Sequence, residues 1–308
     1  MKKAIIAIAI AGFILVSCIA SRIESQDSQD EAVENTILAA EPEPSRAEQV
    51  ATALVTAYPQ RIEKAEFRDG DWAILLDDTW FYYAEGRLLP EELREKLSEY
   101  SPVFFYGYQR ELPPWTPLSP EQVSRFRNRN SDQPIRRPRS NYFFDALYQA
   151  HNRAESYERV ETIQFLGHRV AVHNLISEKL SFIEEHILIA SETDPQVRTW
   201  INNISNLEGW NWRNIAGSQS RSYHSYGAAI DILPRSLGGK VMYWQWAGPE
   251  WWNIPYESRY NPPDTVIEIF ESYGFYWGGR WLHYFDTMHF EYRPEVFILS
   301  GITLAASP

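Results

Sequence analysis

The chain has 308 residues, with 29 Lys and Arg against 41 Asp and Glu, and one cysteine. A net charge of −12 argues against nucleic acid or an anionic membrane surface as a partner, because both need a basic face. One cysteine excludes an intrachain disulfide, so the fold must rest on its core, and the roughly 250 residues after the amino-terminal segments are ample for one.

Lys2 and Lys3 precede an apolar run from Ala4 to Val16. The run is too short to cross a bilayer as a stable helix, so residues 1–17 read as a signal peptide. Its end, Leu15-Val16-Ser17-Cys18, resembles the bacterial lipoprotein signal, in which the cysteine is lipidated and becomes the first residue after cleavage. That resemblance implies an exported protein of the cell envelope, attached to the membrane only through lipid on Cys18. Residues 18–50 then read as an acidic tether. Glu24, Asp27, Asp30, Glu31, Glu34, Glu41, Glu43 and Glu48 face only Arg22 and Arg46, a balance that leaves little to bury.

Residues 51–115 read as a small α+β module of unlegible role. Within it, Phe67 to Leu89 predicts a short β-meander, with turns at Asp69-Gly70 and Asp77-Asp78, and Pro90-Glu91-Glu92-Leu93 opens a helix. Residues 116–140, rich in Pro, Arg, Asn and Ser, read as a linker. The remainder, 141–308, reads as one further domain. Tyr142 to Tyr157 predicts a helix. Asn174 to Ile189 predicts another, because Ile176, Leu180, Ile183 and Ile187 recur on one face. Asp194-Pro195 caps a third, expected to carry Trp200, Ile201 and Ile204.

Two stretches carry chemistry: Ser222-Tyr-His224-Ser-Tyr-Gly227-Ala-Ala229-Ile-Asp231, and Trp277-Gly-Gly-Arg-Trp281 running on to Asp286-Thr-Met-His289-Phe-Glu291. His224 and Asp231 lie seven residues apart and reach a common point if the chain turns back, which Gly227 permits. Asp231 sits within an apolar strand pattern, where an unpaired carboxylate is costly and a metal ion would offset its charge. His289, between Met288 and Phe290, supplies a third ligand. Three ligands of this kind with one open position are what a catalytic zinc site requires. Asp286, three residues before His289, is placed to take a proton from attacking water and return it to a leaving amine.

Ser-x-His-x-x-Gly-x-Ala-x-Asp followed by Asp-x-Met-His-Phe-Glu resembles the D-alanyl-D-alanine carboxypeptidase/L-alanyl-D-glutamate endopeptidase family of zinc peptidases. Gly274-Phe-Tyr-Trp277-Gly-Gly-x-Trp281 and Phe165-Leu-Gly-His-Arg-Val170 are similar to its endopeptidase branch, so the resemblance spans about 165 to 295. It implies an α+β fold: a small antiparallel sheet that carries the Zn2+ site and is flanked by helices. It implies His224, Asp231 and His289 as metal ligands, and Asp286 as general base. Arg213 corresponds to an arginine facing the scissile carbonyl, where it would stabilise an oxyanion; Arg221 is its nearest rival. Ser222 is expected to hydrogen-bond within the site, Glu291 to stand behind His289, and Trp277 to contact substrate or support the site.

The implied substrate is the peptidoglycan stem peptide, with the L-alanyl-D-glutamate bond ahead of D-alanyl-D-alanine. A non-catalytic zinc-containing lipoprotein that only grips cell wall is the alternative from another class. His151, His168, His173, His186 and His283 have no ligand-like companion and read as structural. The aromatic run Met242 to Trp252 reads equally as a lid on the core or as a cleft wall.

Overall fold

The computed structural model describes residues 43–105, 107–127, 137–216 and 218–305. The signal peptide, Cys18 and most of the tether lie outside them. The tether expected to end at 50 is already helical from Arg46. There α1 (Arg46–Ala57) starts behind Ser45, whose Oγ accepts a hydrogen bond from Glu48 N at 3.2 Å. Val50, Ala51 and Leu54 on its inner face are buried.

Strands β1 (Lys64–Arg68), β2 (Asp71–Leu76), β3 (Thr79–Tyr82) and β4 (Leu89–Pro90) form the expected antiparallel meander. Both two-residue turns have positive φ throughout: 48° and 83° at Asp69-Gly70, 48° and 60° at Asp77-Asp78. Turns of that kind match the twist of paired strands. The predicted helix after Pro90 is a 3-10 segment, Glu91–Glu99, kinked at Lys96. None of its residues is buried, so no packed face selects the α form.

The region read as a linker contains a short helix, α2 (Pro120–Arg127), and a buried Ser140. The single helix expected from Tyr142 to Tyr157 is two, α3 (Tyr142–Leu147) and α4 (Arg153–Glu158), separated where Gln149 takes φ 48°. Strands β5 (Val160–Phe165) and β6 (His168–His173) make a hairpin around Leu166-Gly167. Helix α5 (Asn174–Thr193) follows, with Ile176, Leu180, Ile183 and Ile187 all fully buried. Each such aliphatic side chain contributes about 1.5–3 kcal/mol by leaving water. Asp194 caps α6 (Pro195–Asn202) through Gln196 N at 2.8 Å. Ile204 lies beyond this helix, opening β7 (Ile204–Glu208).

After β8 (Ala229–Pro234) come α7 (Asp264–Ser272), β9 (Phe275–Trp277), β10 (His289–Tyr292) and α8 (Pro294–Ile298). The second sheet is antiparallel in the order β7-β8-β10-β9, which puts β8 and β10 inside it. The α+β class expected from the sequence is present. The division at 51–115 and 141–308 is not a division of cores: Leu54, Tyr58, Ile74 and Phe81 share one buried cluster with Phe143, Ile176, Ile230 and Phe290. Helix α1 packs on α8, at the far end of the chain. Among the described residues no helix is long and apolar enough to cross a membrane.

Candidate metal centre

Asp231 and His289 occupy directly opposed positions on β8 and β10. Cross-strand partners point to the same face of a sheet, so this register alone brings the two side chains together. His224 arrives from a 3-10 turn, Tyr223–Tyr226, that immediately precedes β8. Ser222 starts the turn, its Oγ accepting from His224 N at 3.4 Å, and Gly227 ends it in the left-handed conformation, φ 69°. A side chain at Gly227 would also come within 2.7 Å of His173 N. The reversal expected between His224 and Asp231 therefore depends on that glycine twice over.

The donor atoms form a tight triangle. His224 Nε2 is 3.2 Å from Asp231 Oδ1, His289 Nδ1 is 2.9 Å from the same oxygen, and the two nitrogens are 3.2 Å apart. Ligands about 2.0–2.1 Å from a tetrahedral ion stand about 3.3 Å from each other, so the triangle is close to one face of such a polyhedron. The opposite ring nitrogens are also provided for. His224 Nδ1 lies 2.7 Å from the Gly209 carbonyl, and His289 Nε2 lies 3.3 Å from Glu291 Oε2. An N–H on each outer nitrogen would be satisfied by these contacts, which would leave the inward nitrogen its lone pair for a metal. All three residues are buried, and the group can hold a metal ion.

Electrostatics agree with this donor set. Burial would raise the Asp231 pKa, but the neighbouring His224 charge and hydrogen bonds from both histidines hold it far below the usual carboxylate range. Burial likewise opposes protonation of His289, yet Asp231 and Glu291 push it up to about 10. Glu291 is kept ionised by His289 and Arg293 against its burial. The Asp231 and Glu291 carboxylates that favour a proton on His289 would also favour a divalent cation, which would displace that proton on binding.

Asp286 lies beside the triangle. Its N–H donates to Gly278 O at 3.1 Å and its carbonyl accepts from His289 N at 3.2 Å. A side chain at Gly278 would overlap the Asp286 carbonyl, so this close approach needs the glycine. The Oδ1 atom is buried without a hydrogen-bond partner. Burial, then the nearby Asp231 charge, pushes the carboxyl up to about 7, with His289 and Arg213 opposing the rise. That is the range in which a carboxyl exchanges protons near neutrality.

The two candidate arginines separate cleanly. Arg221 pairs with Asp145, donates to Ala150 O at 3.1 Å and lies over the Trp212 ring, so it is a scaffold residue. Arg213 is exposed, and its charge reaches both Asp286 and Tyr243. Its backbone is held beside the His224 turn: Arg213 N donates to Ser225 Oγ at 2.8 Å, and Arg213 O accepts from Ser222 N at 3.1 Å.

Trp277 is 4% exposed and donates from Nε1 to Thr287 O at 3.0 Å. It braces the segment between Asp286 and His289 from behind and offers no face to a substrate. Tyr243 is the residue that sequence reasoning missed. It forms an antiparallel bridge with Asp286, and burial, then Asp286, pushes its hydroxyl up to about 12. Its only signal was membership of the aromatic run. Most of that run is a side cluster, in which Trp244, Trp251 and Trp252 pack, mostly edge-on or tilted, with Phe126 and Tyr284, while Trp246 is 57% exposed. Among the histidines read as structural, His173 caps α5 through Leu175 N at 3.0 Å.

Comparison with known proteins bears on this segment and on the amino-terminal one. Residues 50–105 match a family described as a domain of unknown function. No solved structure matches the chain. The peptidoglycan L-alanyl-D-glutamate endopeptidase CwlK of Bacillus subtilis (strain 168) is 33% identical over 77 residues, 24% of this chain and 41% of that protein. The chain thus spans less than half the length of that relative. Residues 216–292, which carry Ser222, His224, Asp231, Asp286, His289 and Glu291 but not Arg213, match a peptidase family described as D-alanyl-D-alanine carboxypeptidase.

Proposed function

We propose that the chain is a zinc peptidase acting on the stem peptide of peptidoglycan, and that it cuts the L-alanyl-D-glutamate bond in preference to D-alanyl-D-alanine. One observation carries the reading: three mutually adjacent donor atoms, with both outer histidine nitrogens occupied, beside an Asp286 oxygen that has no partner. The matches to the carboxypeptidase family and to CwlK support the substrate class. Ligation by His224, Asp231 and His289 fits zinc, since two imidazoles and one carboxylate are borderline donors in a compact three-sided site.

Bound zinc supplies Lewis acidity, polarising a carbonyl and making water easier to deprotonate. Asp286 accepts the proton as water attacks the scissile carbon, then returns it to the amine as the C–N bond breaks. Arg213 lies on the solvent side, where its guanidinium meets negative charge developing on the carbonyl oxygen. Tyr243, bridged to Asp286, borders the same space. Export and lipidation at Cys18 would place the enzyme at the cell envelope, next to its substrate.

The test is digestion of purified peptidoglycan followed by mass spectrometry of the products. Muropeptides shortened to a single L-alanine still attached to the muramyl sugar, with release of peptides beginning at D-glutamate, are expected. Release of D-alanine alone would move the activity to carboxypeptidase. Intact peptidoglycan bound but uncut by zinc-loaded protein would overturn the enzymatic reading in favour of a cell-wall binder.

A further inference from the structure

Behind His289 runs a buried line of charged groups that leaves the matched peptidase segment and ends in the domain of unknown function. Glu291 Oε2 meets His289 Nε2 at 3.3 Å, and Glu291 Oε1 accepts from Arg293 Nη1 at 3.4 Å. Arg293 Nε donates to Glu295 Oε1 at 2.5 Å, and Tyr58 Oη donates to Glu295 Oε2 at 3.1 Å. The remaining arm of the guanidinium, Nη2, donates to Phe104 O at 2.8 Å. Exposure falls along the line, from 6% at Glu291 to 1% at Arg293 and 0% at Glu295 and Tyr58. Tyr58 and Phe104 stand near the two ends of the 50–105 segment. Both ends of that segment therefore converge on the Arg293–Glu295 pair, which begins two residues beyond Glu291.

Alternation along β10 explains why the line reaches the metal site. His289 and Glu291 share one face of the strand, and Arg293 continues that phase just past its end. Charges buried this deeply are tolerated only when each is paired and shielded from water. Helix α1, which Tyr58 follows directly, and the stretch around Phe104 provide that shielding and the terminal hydrogen bonds. Opening this cover would let water screen the Arg293–Glu291 contact and free the Glu291 carboxylate to turn away from the imidazole.

We infer that the 50–105 segment serves the metal centre: through Tyr58 and Phe104 it fixes Arg293 and Glu295, which hold Glu291 against His289 and so set the orientation of that ligand. The inference rests on the metal-centre reading above. It makes Tyr58, Arg293 and Glu295 positioning residues and gives the amino-terminal segment a task other than binding a partner.

The test compares Tyr58→Phe, Glu295→Gln and the parent, all as purified chains, by zinc competition against a chromogenic chelator alongside thermal melting. A control, Tyr82→Phe, removes another buried tyrosine hydroxyl from the same segment, one bonded to Asp69 Oδ2 at 2.9 Å and off this line. Loss of outer contacts to a ligating histidine weakens metal binding by about 10–100-fold. Glu295→Gln should approach the lower end of that range. Tyr58→Phe, one bond further out, should weaken zinc about 3-fold or more, also by reference to that range. Tyr82→Phe should leave zinc affinity unchanged even where it lowers the melting temperature. If Glu295→Gln fails to fold, Tyr58→Phe decides alone. Parental zinc affinity in folded Tyr58→Phe overturns the inference, as does equal weakening in Tyr82→Phe. A parent that binds no zinc defeats the metal-centre reading itself, a distinguishable result.

Discussion

Replacing Asp286 by Asn separates chemistry from structure at this site. The side chains are nearly the same size, and the backbone bonds that place residue 286, to Gly278 O at 3.1 Å and from His289 N at 3.2 Å, survive the change. Oδ1 has no hydrogen bond to lose, and neutralising the carboxylate relieves its repulsion from Asp231. The melting temperature should therefore fall by no more than about 2 °C, which for a chain of this size is under about 1 kcal/mol. Turnover should fall by about two to four decades, the scale for losing a positioned acid–base group. That loss corresponds to about 2.7–5.4 kcal/mol of barrier. The assay is peptidoglycan digestion at saturating substrate, with zinc per molecule measured by elemental analysis on the same preparation. A variant that holds full zinc and digests at the parental rate would refute the assignment of the base. A variant that loses zinc together with activity would refute it differently, by making Asp286 a ligand.

The parent should bind one zinc per molecule, and His224→Ala or His289→Ala should abolish tight binding, because two ligands seldom retain zinc. Stoichiometric metal in both variants would defeat the ligand assignment. Arg213→Ala should lower kcat by about 10²–10³-fold, the scale of one lost oxyanion contact, with the melting temperature unchanged. Arg221→Ala should instead destabilise the fold by roughly 3 kcal/mol, since it strands the buried Asp145 carboxylate; the opposite pattern would exchange the two roles. Cys18→Ser should move the protein out of the membrane fraction, and a variant that still pellets with membranes after a high-salt wash would require another anchor.

What the sequence disclosed of the fold followed the reach of its signals. The meander and α5 were legible because their cues are local: two positive-φ turn pairs in one, and four isoleucine and leucine positions at helical spacing in the other. The helix expected across Tyr142–Tyr157 failed at Gln149, where no glycine or proline marks the break between α3 and α4. Residues 50–105 match a family of their own, yet their shared core with the rest was not legible, for a different reason. Composition reports changes along the chain, whereas the core joins Leu54 and Tyr58 to residues more than 200 positions away. No periodicity within either stretch encodes that union.

The site divides along the same line. Asp231 and His289 were readable because such residue types are expensive in apolar strands unless they bind something, and His224 and Asp286 because they stand in the motifs that lead into those strands, whose register brings the motifs together. Their supports carry no such mark. Gly209 lends only a carbonyl to His224, and any residue type supplies a carbonyl; Tyr243 is one tyrosine among 18. Arg293 and Glu295 look in sequence like an exposed pair following a strand, yet they are among the most deeply buried charges among the described residues. Such burial requires a cover, and Tyr58 and Phe104 provide it from the opposite end of the chain. The three donor residues of this cluster are therefore specified by a short stretch of chain, and their alignment by contacts that only the assembled core creates.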